Sequence, residues 1–129
     1  MFDVQAGRDR AHEVRPEARD SIAAYYARVT TAARPMNRLI ALTMLTTIGA
    51  IVGELIRDEL PAWRAWPALI LTLGAVSLAA GRTVANAQRL GRQSDDVAQQ
   101  SKLARSILGD HLACIGAIAI VLVLQLAPA

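Results

Sequence analysis

Cysteine, histidine, lysine and aromatic residues are all scarce in this chain of 129 residues, which holds one Cys, two His, one Lys and 4% aromatics. A lone Cys114 permits no intramolecular disulfide and leaves the redox compartment unconstrained. His12 and His111 have no second histidine at helical spacing, so imidazole ligation of a metal or haem is not expected. A Gly-rich phosphate loop is missing too, because the segment 81–91 lacks both the glycine spacing and a preceding strand. Ser106, Asp110 and His111 are neighbours in sequence, yet nothing supplies an oxyanion donor beside them. The reading is a non-enzymatic protein without cofactors. Charge of a single sign is also lacking near the N-terminus, where arginines alternate with Asp3, Asp9, Glu13, Glu17 and Asp20. No dense basic patch forms, so nucleic acid is not an expected partner.

What the chain does have is apolar residues in abundance, 53% of the total, and they are lumped. Three stretches hold most of them: Leu39 to Ile56, Trp66 to Gly81 and Leu112 to Ala127. Each is 16 to 18 residues long, at the short end of what a hydrocarbon core of roughly 30 Å requires of a helix. In the first, nine Leu, Ile and Val residues give about −3 to −5 kcal/mol of insertion free energy, opposed by at most about 3 kcal/mol from Glu54 near the helix end. The third has nine comparable residues and no internal charge. The second is diluted by Thr72, Gly74, Ser77 and Gly81, is marginal alone, and is expected to enter as the hairpin partner of the first. These lengths argue against a soluble bundle. A secretory signal is not expected either, since the first apolar run begins 38 residues in, behind seven arginines, with no A-x-A-like cleavage site after it.

The expected fold is an all-α integral membrane protein with three transmembrane helices, an N-terminal amphipathic cytoplasmic helix and a cytoplasmic helix between spans 2 and 3. The segments are a cytoplasmic charged tail and amphipathic helix (1–37), the first span (38–57), a short outer loop (58–65), the second span (66–83), a cytoplasmic helical segment (84–110) and the third span (111–129). Of fourteen basic residues, all but Arg57 and Arg64 fall on one side of such a layout. The positive-inside rule makes that side cytoplasmic, so the N-terminus is expected inside and the C-terminus outside. Thirteen arginines against one lysine, with abundant alanine, fit a GC-rich bacterial genome, and hence a multi-pass protein of the cell inner membrane.

Locally, residues 1–15 are expected to be frayed. Pro16 opens an amphipathic helix whose stripe is Ile22, Tyr25, Val29 and Ala32, and Pro35 stops or kinks it. Asn37 is a plausible cap for the first span, and Pro61 and Pro67 break the helix in the outer loop. The second helix can run past Arg82 to Leu90, where Gly91 weakens it. A fresh helix from Ser94 to Leu108 is capped by the Ser94 hydroxyl and closed by Gly109, after which Asp110 caps the third span.

Three sets of residues are candidates for function. Gly49 and Gly53 form a GxxxG pair, and Ala75 with Ala79 and Ser77 with Gly81 form further small-xxx-small pairs, a pattern that lets helix backbones approach closely in lipid. Thr43, Thr47 and Glu54 lie at spacings of four and seven and could form a polar line. Glu54 is read as an interfacial residue reaching outward toward Arg57 or Arg64. Trp63 and Trp66 on the outer side, and Arg38 and Arg82 on the inner side, are placed as interface anchors.

The leading expectation is a structural or accessory subunit that packs with other transmembrane helices, as a homo-oligomer or within a larger membrane complex. The alternative is a self-assembling pore or channel, holin-like or effector-like. A charged helix, a hairpin of spans and a second charged helix are broadly similar to the layout of two-span effectors of bacterial defence systems, from which the third span departs. Three-span phage holins share the count, but many end in a basic cytoplasmic tail that does not follow Leu126 here. Three-span respiratory anchors share the layout too, and normally bring histidines within their helices.

Overall fold

The computed structural model describes residues 14–32 and 34–127, apart from the side chains of 34–36. The expected frayed stretch lies almost wholly outside these residues. The order is α1 (Pro16–Thr31), α2 (Arg34–Ile56), α3 (Ala62–Leu78), a π turn (Ala79–Thr83), α4 (Val84–Arg92) and α5 (Val97–Leu126), with no strand among the described residues. Three helices are long and apolar enough to cross a membrane: Asn37–Ile56, Ala62–Arg92 and Val97–Leu126. The second is α3, the π turn and α4 run together without a break.

The helix ends follow local chemistry. Pro16 opens α1 with Glu17 in its first turn, where a missing N–H costs nothing and a carboxylate meets the positive end of the helix dipole. Asp58 closes α2 from the left-handed region at φ 54°, and the Glu59 amide then reaches back to the Glu54 carbonyl at 3.0 Å, which satisfies one of the carbonyls a helix end leaves open. Pro61 is the cap residue before α3, whereas Pro67 lies inside it. The expected break at Pro67 does not occur. The missing N–H falls near the start of the helix, and only the bond to the Trp63 carbonyl is forfeited.

The polar segment between the second and third spans also departs from expectation. Ser94 is not the cap: the Asp96 carboxylate accepts from the Gln99 amide at 2.7 Å, an arrangement that contributes about 1 kcal/mol. The helix that begins there does not stop at Gly109 but continues for 30 residues. Asp110 is therefore mid-helix and caps nothing. A glycine inside a helix costs about 1 kcal/mol, less than opening a new pair of helix ends with their unpaired backbone groups. Nor is Gly91 the weak point of α4. The turn falls at Gln93, which takes the left-handed conformation at φ 52° and donates its amide to the Leu90 carbonyl at 3.2 Å.

At one end of the molecule α1, α4 and the first half of α5 form a three-helix bundle with a true core. Ile22, Leu90, Ala104 and Ile107 are fully buried there, with Ala18, Ala23, Tyr26, Ala87 and Leu103 around them. The amide of Val14 donates to Ser101 Oγ at 3.1 Å, which pins the start of α1 to α5. Gly91 lets α1 come close: a Cβ there would sit 2.9 Å from the Ala27 nitrogen and 3.0 Å from its Cα. Asn37 lies inside α2 instead of capping it, and donates from Nδ2 to the Val29 carbonyl at 3.1 Å, tying the end of α1 to the start of α2.

The apolar half is packed quite differently. Its buried apolar cluster is small, Ile51, Ala68 and Leu69, with Ile48, Val52, Val121 and Leu124 partly covered beside them. Large side chains along all three helices face outward, Leu45, Ile70 and Val123 among them.

Candidate functional site

The small-residue faces of the apolar half divide into those the chain uses and those it leaves open. A Cβ added at Gly49 or Gly53 would meet nothing within 4 Å. The hairpin contact lies instead on the neighbouring face of α2, where Ile48, Ile51 and Val52 meet Ala68 and Leu69. On the second span, Ala75 faces α5, and the Cys114 thiol lies 3.8 Å from its carbonyl. Ala79 and Gly81 fall within the π turn, Ser77 is exposed, and Gly81 is as open as the α2 glycines.

Thr43, Thr47 and Glu54 do share one face of α2, and that face is turned to α5. With Gln125 they line a groove of about 660 Å³ between the two helices. Thr43 Oγ1 donates to the Leu39 carbonyl and Thr47 Oγ1 to the Thr43 carbonyl, both at 2.9 Å. These hydroxyls are thus satisfied within their own helix. Glu54 departs from expectation: it accepts from Gln125 Nε2 at 2.9 Å and does not reach either arginine. Arg57 faces Glu59 at 3.7 Å. Arg64, only 5% exposed, donates from Nε to the Leu124 carbonyl at 2.6 Å and from Nη2 to that of Ala127 at 2.8 Å. It caps the end of α5, where helix carbonyls lack partners and a cation is favoured.

Trp63 and Trp66 are exposed, at 70% and 53%, and the Arg64 guanidinium carbon lies 5.9 Å from the Trp63 ring centre, within reach of a cation–π attraction. Arg38 is exposed at the opposite end of α2.

A buried charged group between these helices was not foreseen. The Asp110 side chain is wholly inaccessible. It accepts from Arg82 Nε at 3.2 Å, forms a second bond with Arg82 Nη2, and accepts from Thr83 Oγ1 at 3.0 Å. Arg82 and Thr83 belong to the π turn, whose wider winding brings consecutive residues onto one carboxylate. Such turns within α-helices are uncommon and collect at functional positions. One turn toward the bundle, Asn86 Nδ2 donates to Ser106 Oγ at 3.3 Å. A signal was present in the sequence: Arg82 and Asp110 are lone charges of opposite sign at the same end of adjacent antiparallel spans.

Among the described residues no three His, Cys, Asp or Glu side chains gather as a metal site. No family model matches this chain, and none of the curated proteins or solved structures compared with it is similar. The fold itself defines the class: an all-helical protein with three helices fit to cross a membrane, two of them prolonged into a compact polar-end bundle.

Proposed function

We propose that this chain is a small, non-catalytic integral membrane protein that acts as a structural or accessory subunit, packing through its spans against other transmembrane helices. The observation that carries the reading is the contrast between the two ends. The polar-end bundle completes its own core, whereas in the apolar half the GxxxG face of α2 has nothing against it. Helices associate in lipid by close packing of small residues, and a face left vacant within the chain is free for another. The bundle end, with twelve of fourteen basic residues on its side, is the cytoplasmic end in this reading. The setting is a bacterial inner membrane.

Purification of the full chain in mild detergent with mass measurement tests the association. A larger membrane partner, or a defined homo-oligomer that is tight to ions, is expected, and Gly49→Ile with Gly53→Ile is expected to release it. Because both positions are open, the double variant is expected to keep the helicity and thermal stability of the parent chain. A monomer without partners would sink the proposal. Orientation is checked by labelling single cysteines placed at Trp63 or Ser94, in a Cys114→Ala background, from outside intact cells. Reaction at position 63 but not at 94 is expected, and the reverse pattern overturns the assignment.

A second reading, a self-assembling pore, is favoured by the groove that Thr43, Thr47, Glu54 and Gln125 share. A closed homo-oligomer that leaks ions from liposomes, with the leak reduced by Glu54→Gln, would decide for it.

A further inference from the structure

A second groove lies between α2 on one side and α3 and α5 on the other, and encloses about 490 Å³. Its walls are hydrocarbon, with Ile40, Met44, Leu71, Val76, Ala117 and Val121 prominent among them. The hydroxyls along it are turned back into their own helices, Thr72 to the Ala68 carbonyl at 2.8 Å and Thr43 and Thr47 as described. A groove of this kind offers no hydrogen bond to an occupant. Within a bilayer it does not stay empty either, since bare walls forfeit their dispersion contacts.

What distinguishes the groove from any lipid-facing seam is the group standing over one end of it. Asp110 lies seven residues before Ala117 on α5, two turns away on the same face and about 10 Å nearer the bundle. Arg82 lies six residues beyond Val76 on α3, a rise of about 9 Å. The ion pair therefore spans the two helices that form one wall, at the end of the apolar half next to the bundle. Asp110 fixes the guanidinium through Nε and Nη2. The Arg82 side chain is nevertheless 60% exposed, and its Nη1 has no partner among the described residues. Asp110 apart, the helix segments flanking it carry no acidic residue. No carboxylate occurs from Arg34 to Gly53 or from Ala62 to Ser94, Asp110 is already paired, and Arg38 has no ion pair among the described residues.

We propose that this groove seats one acyl chain of an anionic phospholipid whose phosphate is held by Arg82. An arginine held in plane by a carboxylate presents its remaining N–H groups to phosphate oxygens in a fixed direction. A second protein helix would fill the hydrocarbon walls but would leave that outward donor without an anion. The inference rests on the membrane placement and not on the subunit reading, so its failure would leave the GxxxG experiment unaffected.

The test uses the full chain reconstituted in bilayer discs of phosphatidylcholine with a minor fraction of phosphatidylglycerol, followed by release into mild detergent and native mass spectrometry of the retained lipid. One phosphatidylglycerol per chain is expected to be held in preference to phosphatidylcholine. Arg82→Gln combined with Asp110→Asn removes both charges without stranding either, and is expected to lower that preference about fivefold. Ala117→Phe fills the groove and is expected to expel both lipids while leaving helicity unchanged. Glycerol phosphate in solution is expected not to displace the bound lipid. Equal retention of the two lipids, or phosphatidylglycerol retained at the parent level in both variants, would overturn the proposal. So would full displacement by glycerol phosphate, which would mark a simple anion site, or disulfide cross-linking between copies through a cysteine at Met44, which would mark a second copy in the groove.

Discussion

Arg82→Leu is expected to destabilise the protein, while Arg82→Leu with Asp110→Leu is expected to recover most of that loss. The single change leaves the Asp110 carboxylate inaccessible to water with only Thr83 Oγ1 as a donor. The stranded, desolvated carboxylate is the larger effect; the attraction it loses is partly screened, because the Arg82 side chain is 60% exposed. The double change removes the stranded charge and adds apolar contact at the α3–α5 seam. Loss of helicity on heating in detergent measures both. If the double variant were as unstable as the single, the pair would be holding the π turn itself, and its value would lie in geometry and not in charge.

Gly91→Leu is expected to detach α1 from the bundle. The first atom of any side chain there would lie 2.9 Å from the Ala27 nitrogen and 3.2 Å from the Tyr26 carbonyl carbon. These are backbone atoms, which cannot swing aside, so the whole helix must move. Leucine raises helix propensity over glycine by somewhat under about 1 kcal/mol, but overpacking at such a contact costs about 1–3 kcal/mol, occasionally more. The net effect expected is about 2 kcal/mol against the fold, most of it local to α1. Limited trypsin digestion reads this out, with cleavage after Arg19 and Arg28 expected to accelerate at least tenfold. Gly109→Ala is the matching control: a Cβ there meets nothing within 4 Å, so this change is expected to leave the digestion pattern alone and to raise stability by up to about 1 kcal/mol.

The sequence made the large features legible for a simple reason. Runs of apolar residues long enough to span hydrocarbon are a strong and nearly one-dimensional signal, and the three helices of the apolar half were placed from them. Pro16 at the start of α1 and the continuation of the second helix past Arg82 were equally readable from local rules. The errors fell where a local preference meets a long helix. Gly109 and Pro67 both look like terminators in a short window, yet each sits inside a helix because ending it would have left several backbone groups unpaired, against one at Pro67 and none at Gly109. Gly91 was read as a weakness for the same reason, when its use is tertiary: it clears space for Ala27.

Side-chain pairing was less legible than helices. Glu54 faces Gln125, 71 positions away in the chain, and Arg64 caps a helix through a carbonyl 60 residues on. Neither partner could be chosen without knowing which face of α5 turns inward. The α2 glycines illustrate the converse. Their spacing was evident, and only the packing of Ile51 on Ala68 and Leu69 shows that the chain does not use them on itself.

One property of the architecture has a mechanical meaning. Two helices, Ala62–Arg92 and Val97–Leu126, run unbroken from the apolar half into the bundle, and α1 rides on their bundle-end portions. From Thr83 to Arg92 the first of them extends about 14 Å. A bilayer that thins or thickens changes the tilt of the rods within it, and a tilt of about 10° carries the far end of such a lever sideways by about 2 Å. A change of tilt in the spans is thus carried into the bundle they support.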